Sequence, residues 1–293
     1  MRYNKIYLIV LLVSLFASCR KDDDLGDVDN IPGLGGDTWT PTALDTWISE
    51  NWTKPYNVSV KYKWDQGELE FDKVLTPPRE EKIIPTLNTI KKVWIDNYVA
   101  EAGSLFMKQN IPKFFVMVGS ASWNTDGTIT LGTADGGRRI VLYVINDFRT
   151  KEMPGYVSTD SFNVKQMFHT IEHEFGHILQ QKVIPSPDYK RISVGTYSAN
   201  WYNFSDADAM EEGFITAYSM SNPDEDFVEM VATMLVEGKG GYEKLLSQIA
   251  SSEARAKLRA KEAIVVNYFK DVWGINFASL QSRTRTSIDV LIK

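Results

Sequence analysis

His173, Glu174 and His177 stand in the order H-E-x-x-H. On a helix of 3.6 residues per turn, two histidines four positions apart share a face. Both can then offer a ring nitrogen to one metal ion. Glu174 lies about 100° round the axis from His173, so it reaches beside that ion without binding it. A general base for an activated water belongs there, and the pattern points to zinc-assisted hydrolysis with one Zn2+ per chain. The chain has three histidines, all between positions 169 and 177. His169 precedes His177 by eight residues, about 12 Å of helix axis. It reads as a core residue or as a partner of a ligand, rather than as a ligand.

This chemistry needs a helix under the motif. Phe168, Ile171, Phe175, Ile178 and Leu179 recur at three- and four-residue steps, which predicts a helix over 162–182. Ser161 or Asn163 can cap its start, and Pro185 and Pro187 limit its extension past Val183. Gly176 disfavours the helix by about 1 kcal/mol relative to Ala. A missing side chain there lets another backbone or a substrate come close to the metal face.

A catalytic zinc takes three protein ligands and keeps a position for water. No histidine follows His177, so unless His169 serves, a carboxylate completes the set. Glu225 leads the candidates. Asn222-Pro223 opens a helix, with Pro at its first position, and Glu229 follows Glu225 by one turn on the same face. One carboxylate can bind the metal while the other accepts the second N–H of a ligating histidine. Glu225 also suits plain helix capping, and Asp224, Glu225 and Asp226 all suit the positive end of the helix dipole. Glu211 and Glu212 are rival ligands.

The chain has 293 residues, 43% hydrophobic, with a net charge of −6. That is enough for one large domain or two lobes, and it argues against a nucleic-acid partner. Residues 1–19 combine basic Arg2 and Lys5, an apolar run from Ile6 to Phe16, and small residues before Cys19, the single cysteine. This is an export signal, and it resembles a bacterial lipoprotein leader whose cysteine becomes the lipidated first residue. Arg20-Lys21-Asp22-Asp23-Asp24 resembles the surface-export tag of Bacteroidetes lipoproteins. Residues 20–38 form an acidic, Gly-rich flexible tether. The expected address is the outer membrane, facing the exterior.

Residues 39–293 read as one α+β domain, with a strand-rich lobe over about 39–182 and a helical lobe over about 183–293. Helical spacing marks 42–52 and the stretch beyond Pro85 to Lys108. Alternation or apolar runs mark strands at 56–64, 113–119, 128–132 and 139–146, with turns at 124–127 and 134–137. A helix from Ser205 is expected to run to Tyr218, and one from Asn222 to end at Gly238. Three more follow over 241–250, 252–273 and 277–291.

His173 to His177, with Glu225-x-x-x-Glu229 downstream, resembles the gluzincin branch of the zincin metallopeptidases. Tyr218, seven residues before Glu225, makes the set similar to the site of anthrax lethal factor. Leader and layout resemble the zinc-binding metallopeptidase lipoproteins of Bacteroidetes. The resemblance spans about 141–235. It implies a zincin-like fold, zinc on His173, His177 and Glu225, and Glu174 as base. It also implies Glu229 behind a ligand, Tyr218 donating to the oxyanion, and a peptide or protein as substrate. In zincins the strand before the active helix lies at the sheet edge and pairs with substrate, which would assign that role to 139–146. The alternative is an ordinary inner strand, since its apolar run is nearly unbroken. A different reading is a surface glycan- or peptide-binding lipoprotein with a structural or vestigial zinc site, its eight Trp and thirteen Tyr as stacking platforms. Glu174 separates the two, because a structural site needs no base.

Overall fold

The computed structural model describes residues 40–69, 72–123, 129–130, 132–135 and 139–293. The leader with Cys19, the acidic tether, the turn at 124–127 and positions 136–137 of the second expected turn lie outside the described residues. Thr42–Lys293 is one contact unit.

The chain enters through helix α1 (Ala43–Ile48). Thr42 and Asp45 close a reciprocal capping box at its start. The helical run continues through Ser49–Thr53 and Lys54–Tyr56. After the short strand β1 (Ser59–Lys61), α2 (Glu80–Ile90) begins five residues ahead of Pro85 and holds that proline inside it. A wider-wound turn, Lys91–Ile95, joins it to α3 (Asp96–Asn110) and buries Val93, Trp94 and Ile95.

Strands β2 (Phe114–Met117), β3 (Ser122–Trp123), β4 (Ile129–Thr130), β5 (Gly132–Asp135) and β6 (Arg139–Leu142) follow. The main sheet has the order β1-β2-β6-β5, and β3 pairs with β4 in a separate two-stranded sheet. β1, β2 and β6 run parallel, while β5 is antiparallel to β6. Phe115, Met117, Ile140 and Leu142 face the main core, whereas Val116, Val118, Val141 and Tyr143 form a second cluster with Leu75. Burial on both faces explains the unbroken apolar runs of the inner strands.

The edge position implied for 139–146 is therefore corrected. β6 lies between β2 and β5, and β5 ends the sheet order. Gly-Thr-Ala-Asp in β5 carries no apolar alternation to announce it. The expected strand also stops early. It ends at Leu142, and Val144 at φ 64° turns the chain so that its carbonyl accepts from the N–H groups of Asp147 and Phe148.

The motif helix is α4 (Asp160–Lys182), and α5 (Asp188–Ile192) follows the proline turn. Helix α6 (Asp206–Glu211) has its Ser205–Asp208 capping box but stops seven residues short of the expected end. Gly213 at φ 89° ends it there, and the chain next coils into a turn at Tyr218–Met220. Then come α7 (Pro223–Gln248), α8 (Ser252–Trp273) and α9 (Phe277–Ile292). Gly238 at φ 65°, ψ 176° interrupts α7 where its first part is expected to end.

Phe175 anchors α4 from below. Its ring meets Trp94 at 5.1 Å and Tyr98 at 4.9 Å, both edge to face. Across the other side, α4 lies on α7. A Cβ built on Gly176 would stand 3.0 Å from Val228 Cγ1 and 3.2 Å from its Cβ. The missing side chain at Gly176 thus admits a neighbouring helix rather than a substrate. Gly176→Val should overfill this contact and cost about 1–3 kcal/mol. Adding Val228→Ala should recover most of the loss in thermal unfolding. An additive double mutant would show that the two side chains do not meet.

Candidate metal centre

The contact between α4 and α7 brings two pairs of side chains face to face. His173 and His177 project from one face of α4. Glu225 and Glu229 project from the first two turns of α7. Asn222 makes this possible, because its Oδ1 accepts the N–H groups of Asp224 and Glu225 at 2.9 and 3.1 Å. With the helix end capped in this way, the Glu225 carboxylate is left to turn towards the histidines.

His173 Nε2 and His177 Nε2 are 3.2 Å apart, and each is 3.1 Å from Glu225 Oε2. Ligands on a tetrahedral zinc, at about 2.0–2.1 Å from the ion, stand about 3.3–3.4 Å from one another. The triangle is within a few tenths of an ångström of that spacing. His169, His173 and Glu229 form a second group of possible donors. Its closest separations are 2.7 and 2.9 Å, hydrogen-bond lengths shorter than an edge across a shared ion. The donor chemistry therefore favours His173, His177 and Glu225 as the residues able to hold a metal.

The outer nitrogens fit the same assignment. His173 Nδ1 donates to Glu229 Oε1 at 2.7 Å, so Nε2 is the nitrogen that could offer a lone pair to a metal. His177 Nδ1 lies 2.8 Å from the Gln180 amide nitrogen, while the buried Gln180 Oε1 has no partner. A metal on His177 Nε2 puts a proton on Nδ1. The Gln180 amide turned end for end then supplies the acceptor that this proton needs.

The electrostatics ask for positive charge at this point. Burial opposes a charged His173, but its hydrogen bonds to Glu225 and Glu229 outweigh that and raise it to about 10. Burial likewise works against ionised Glu225, yet His173 and His177 draw it down to about 2. Glu229 is also held below the ordinary carboxylate range, burial being overcome by His169 and His173. In the metal-free protein, a proton on His173 fills the role that a cation would take.

Tyr218 stands beside the triangle. Its ring stacks over His173 at 5.9 Å and meets Trp201 edge to face at 4.9 Å. It is 37% exposed, so it borders both the site and solvent. Burial, and then the carboxylates of Glu225, Glu174 and Glu229, push its hydroxyl well above the usual phenol range. It therefore stays a proton donor. Glu174 is half-buried on α4. The rivals are elsewhere: Glu211 accepts the N–H groups of Ala250 and Ser251 at 2.6 and 2.8 Å, at the start of α8, and Glu212 is exposed.

Three partners of the site escaped the sequence reading. Gln180 is three residues past His177, a spacing that could have flagged it. Thr216 donates its hydroxyl to Glu229 Oε2 at 2.7 Å from a stretch that the helical pattern assigned to a helix and that the structure leaves irregular. Asp226, next to Glu225, is fully buried against Lys261 of α8 at 2.7 Å. Lys261 Nζ also donates to the Gly213 carbonyl at 2.8 Å.

An α+β chain with this donor triangle is, by class, a candidate metal-binding protein. The chain belongs to the family described as "Putative zinc-binding metallo-peptidase", whose profile matches residues 37–278. Among solved structures it is similar to the crystal structure of a putative zinc-binding metallo-peptidase from Bacteroides caccae. The two share 30% identity over 84% of this chain and 91% of that one, with a TM-score of 0.70. No curated protein matches the chain.

The pKa shifts set a pH dependence. The metal-free pKa of His173 lies above its ordinary 6.5, so its contribution to stability is full below about pH 6.5 and lost as pH rises towards 10. Glu225 is depressed, so its contribution is present above pH 4.5 and lost as pH falls towards 2. Thermal midpoints of chelator-treated protein should therefore decline between pH 6.5 and 10. Zinc-loaded protein should lack that component, and identical profiles with and without zinc would count against metal on His173.

Proposed function

We propose that this protein is a zinc-dependent peptidase of zincin-like architecture, acting as an endopeptidase and lipid-anchored through Cys19 to the outer membrane with its domain outside. The observation that carries the proposal is the triangle of His173 Nε2, His177 Nε2 and Glu225 Oε2, with Glu174 on the same helix one residue from a ligand. Membership of the zinc-binding metallo-peptidase family supports it. The leader ending at Cys19 supports the anchor, and no described helix is long and apolar enough to cross a membrane.

A zinc ion held by these residues would polarise the scissile carbonyl and acidify water. Glu174 takes the proton from the attacking water and hands it to the leaving amine. The Tyr218 hydroxyl, kept protonated by its acidic neighbours, donates to the developing oxyanion. Glu229 holds His173 in the tautomer that exposes Nε2. β5, which ends the sheet order, offers the edge along which an extended peptide aligns by main-chain hydrogen bonds.

The test is elemental analysis of protein lacking residues 1–19, beside a peptide-library cleavage assay with and without chelator. Glu174→Gln should keep one zinc and lose turnover by about 10²–10⁴-fold, whereas Glu225→Ala should lose the metal. One zinc without any cleavage would replace the peptidase by a binding protein, and no zinc would end the proposal. In cells, Cys19→Ser should abolish incorporation of labelled fatty acid and release the protein from the membrane fraction.

A further inference from the structure

His169 takes no part in the donor triangle, yet it is not a plain core residue. It lies one turn before His173 on α4, part-exposed, with Nε2 2.9 Å from Glu229 Oε1. That same oxygen accepts from His173 Nδ1 at 2.7 Å. The other oxygen, Oε2, accepts the Thr216 hydroxyl at 2.7 Å, and Thr216 Oγ1 in turn accepts the Ser219 N–H at 3.2 Å. Three donors from two places in the chain thus converge on one buried carboxylate. His169 and His173 approach from α4, and Thr216 from the segment after α6.

We propose that His169 is a positioning residue for the metal centre, holding the Glu229 carboxylate in the one orientation that aims His173 Nε2 at Glu225 and His177. The inference rests on the zinc reading above. Without His169, Oε1 is held only by His173, so the two can shift together by a small rotation about the Thr216 contact. With His169 on Oε1 as well, that rotation breaks a hydrogen bond to a buried charged group, which is costly to leave unmade. His169 therefore acts through Glu229 and His173, two bonds removed from the metal, and its imidazole needs only to donate from Nε2. A side chain of similar reach with an N–H at its end should do the same.

The experiment measures zinc dissociation constants by competition with a chromophoric chelator for the parent protein, His169→Phe, His169→Gln and Thr216→Val. Unfolding of each metal-free protein is recorded in parallel. His169→Phe is expected to weaken zinc by about 10–100-fold, the usual effect of losing a partner behind a ligand. His169→Gln, which keeps an N–H donor, should recover most of that. Thr216→Val should weaken zinc too, since it removes the donor on Oε2. The ligand-field spectrum of the cobalt-loaded protein should shift in His169→Phe and return in His169→Gln. Parent-like affinity in a folded His169→Phe would overturn the inference. So would equal losses in His169→Phe and His169→Gln, because those follow from packing and not from the hydrogen bond. A parent protein that binds no zinc would instead remove the zinc reading on which the inference stands.

Discussion

Everything at the site depends on how closely two helices approach. His173 and His177 belong to one helix, Glu225 and Glu229 to another, and neither pair can hold an ion without its counterpart. The distance between them is set where Gly176 meets Val228, a place where even one methyl group would already crowd its neighbour. The aromatic wall of Trp94, Tyr98 and Phe106 around Phe175 presses α4 into that contact from the opposite side. Apolar packing thus sets the geometry, and the polar groups occupy the space it leaves.

Those polar groups would be poorly placed in the absence of positive charge. Two carboxylates, Glu229 buried and Glu225 partly exposed, point at two imidazoles, and their hydrogen bonds lift His173 far above its usual range. Such an arrangement costs folding energy unless a proton or a cation sits among the donors. A metal taken up here would displace the proton on His173, so its affinity would vary with pH as the donors give up their protons. Burial and the same carboxylates hold the Tyr218 hydroxyl well above the usual phenol range, so one electrostatic feature shapes both the donor triangle and the hydroxyl beside it.

Much of this was legible in the sequence, for identifiable reasons. The H-E-x-x-H helix announces itself by periodicity, and Asn222-Pro223 announces the helix that presents Glu225 and Glu229. Both signals are local. The rivals Glu211 and Glu212 could be dismissed only in three dimensions, where Glu211 caps α8. The edge strand was misplaced because Gly132–Asp135 has no apolar pattern, while Arg139–Leu142 draws attention with residues that are apolar because they are buried on both faces. Helix α6 was extended too far because left-handed backbone at Gly213 overrides a favourable helical pattern. Thr216 and Lys261 were invisible because their roles depend on partners 13 and 48 residues away in the chain.

The buried pair of Asp226 and Lys261 has a consequence for how this centre could be cut out or transplanted. Glu225 is the neighbour of Asp226, and Lys261 sits deep in α8, between the Phe214 ring at 4.2 Å and the Gly213 carbonyl. A fragment ending after the first turns of α7 contains every donor atom of the triangle. It would still strip Asp226 of the Lys261 partner and the covering helix that hold it in place, beside Glu225 itself. The smallest portable unit of this site therefore extends well past the last residue of the triangle, into a helix that contributes no donor atom to it.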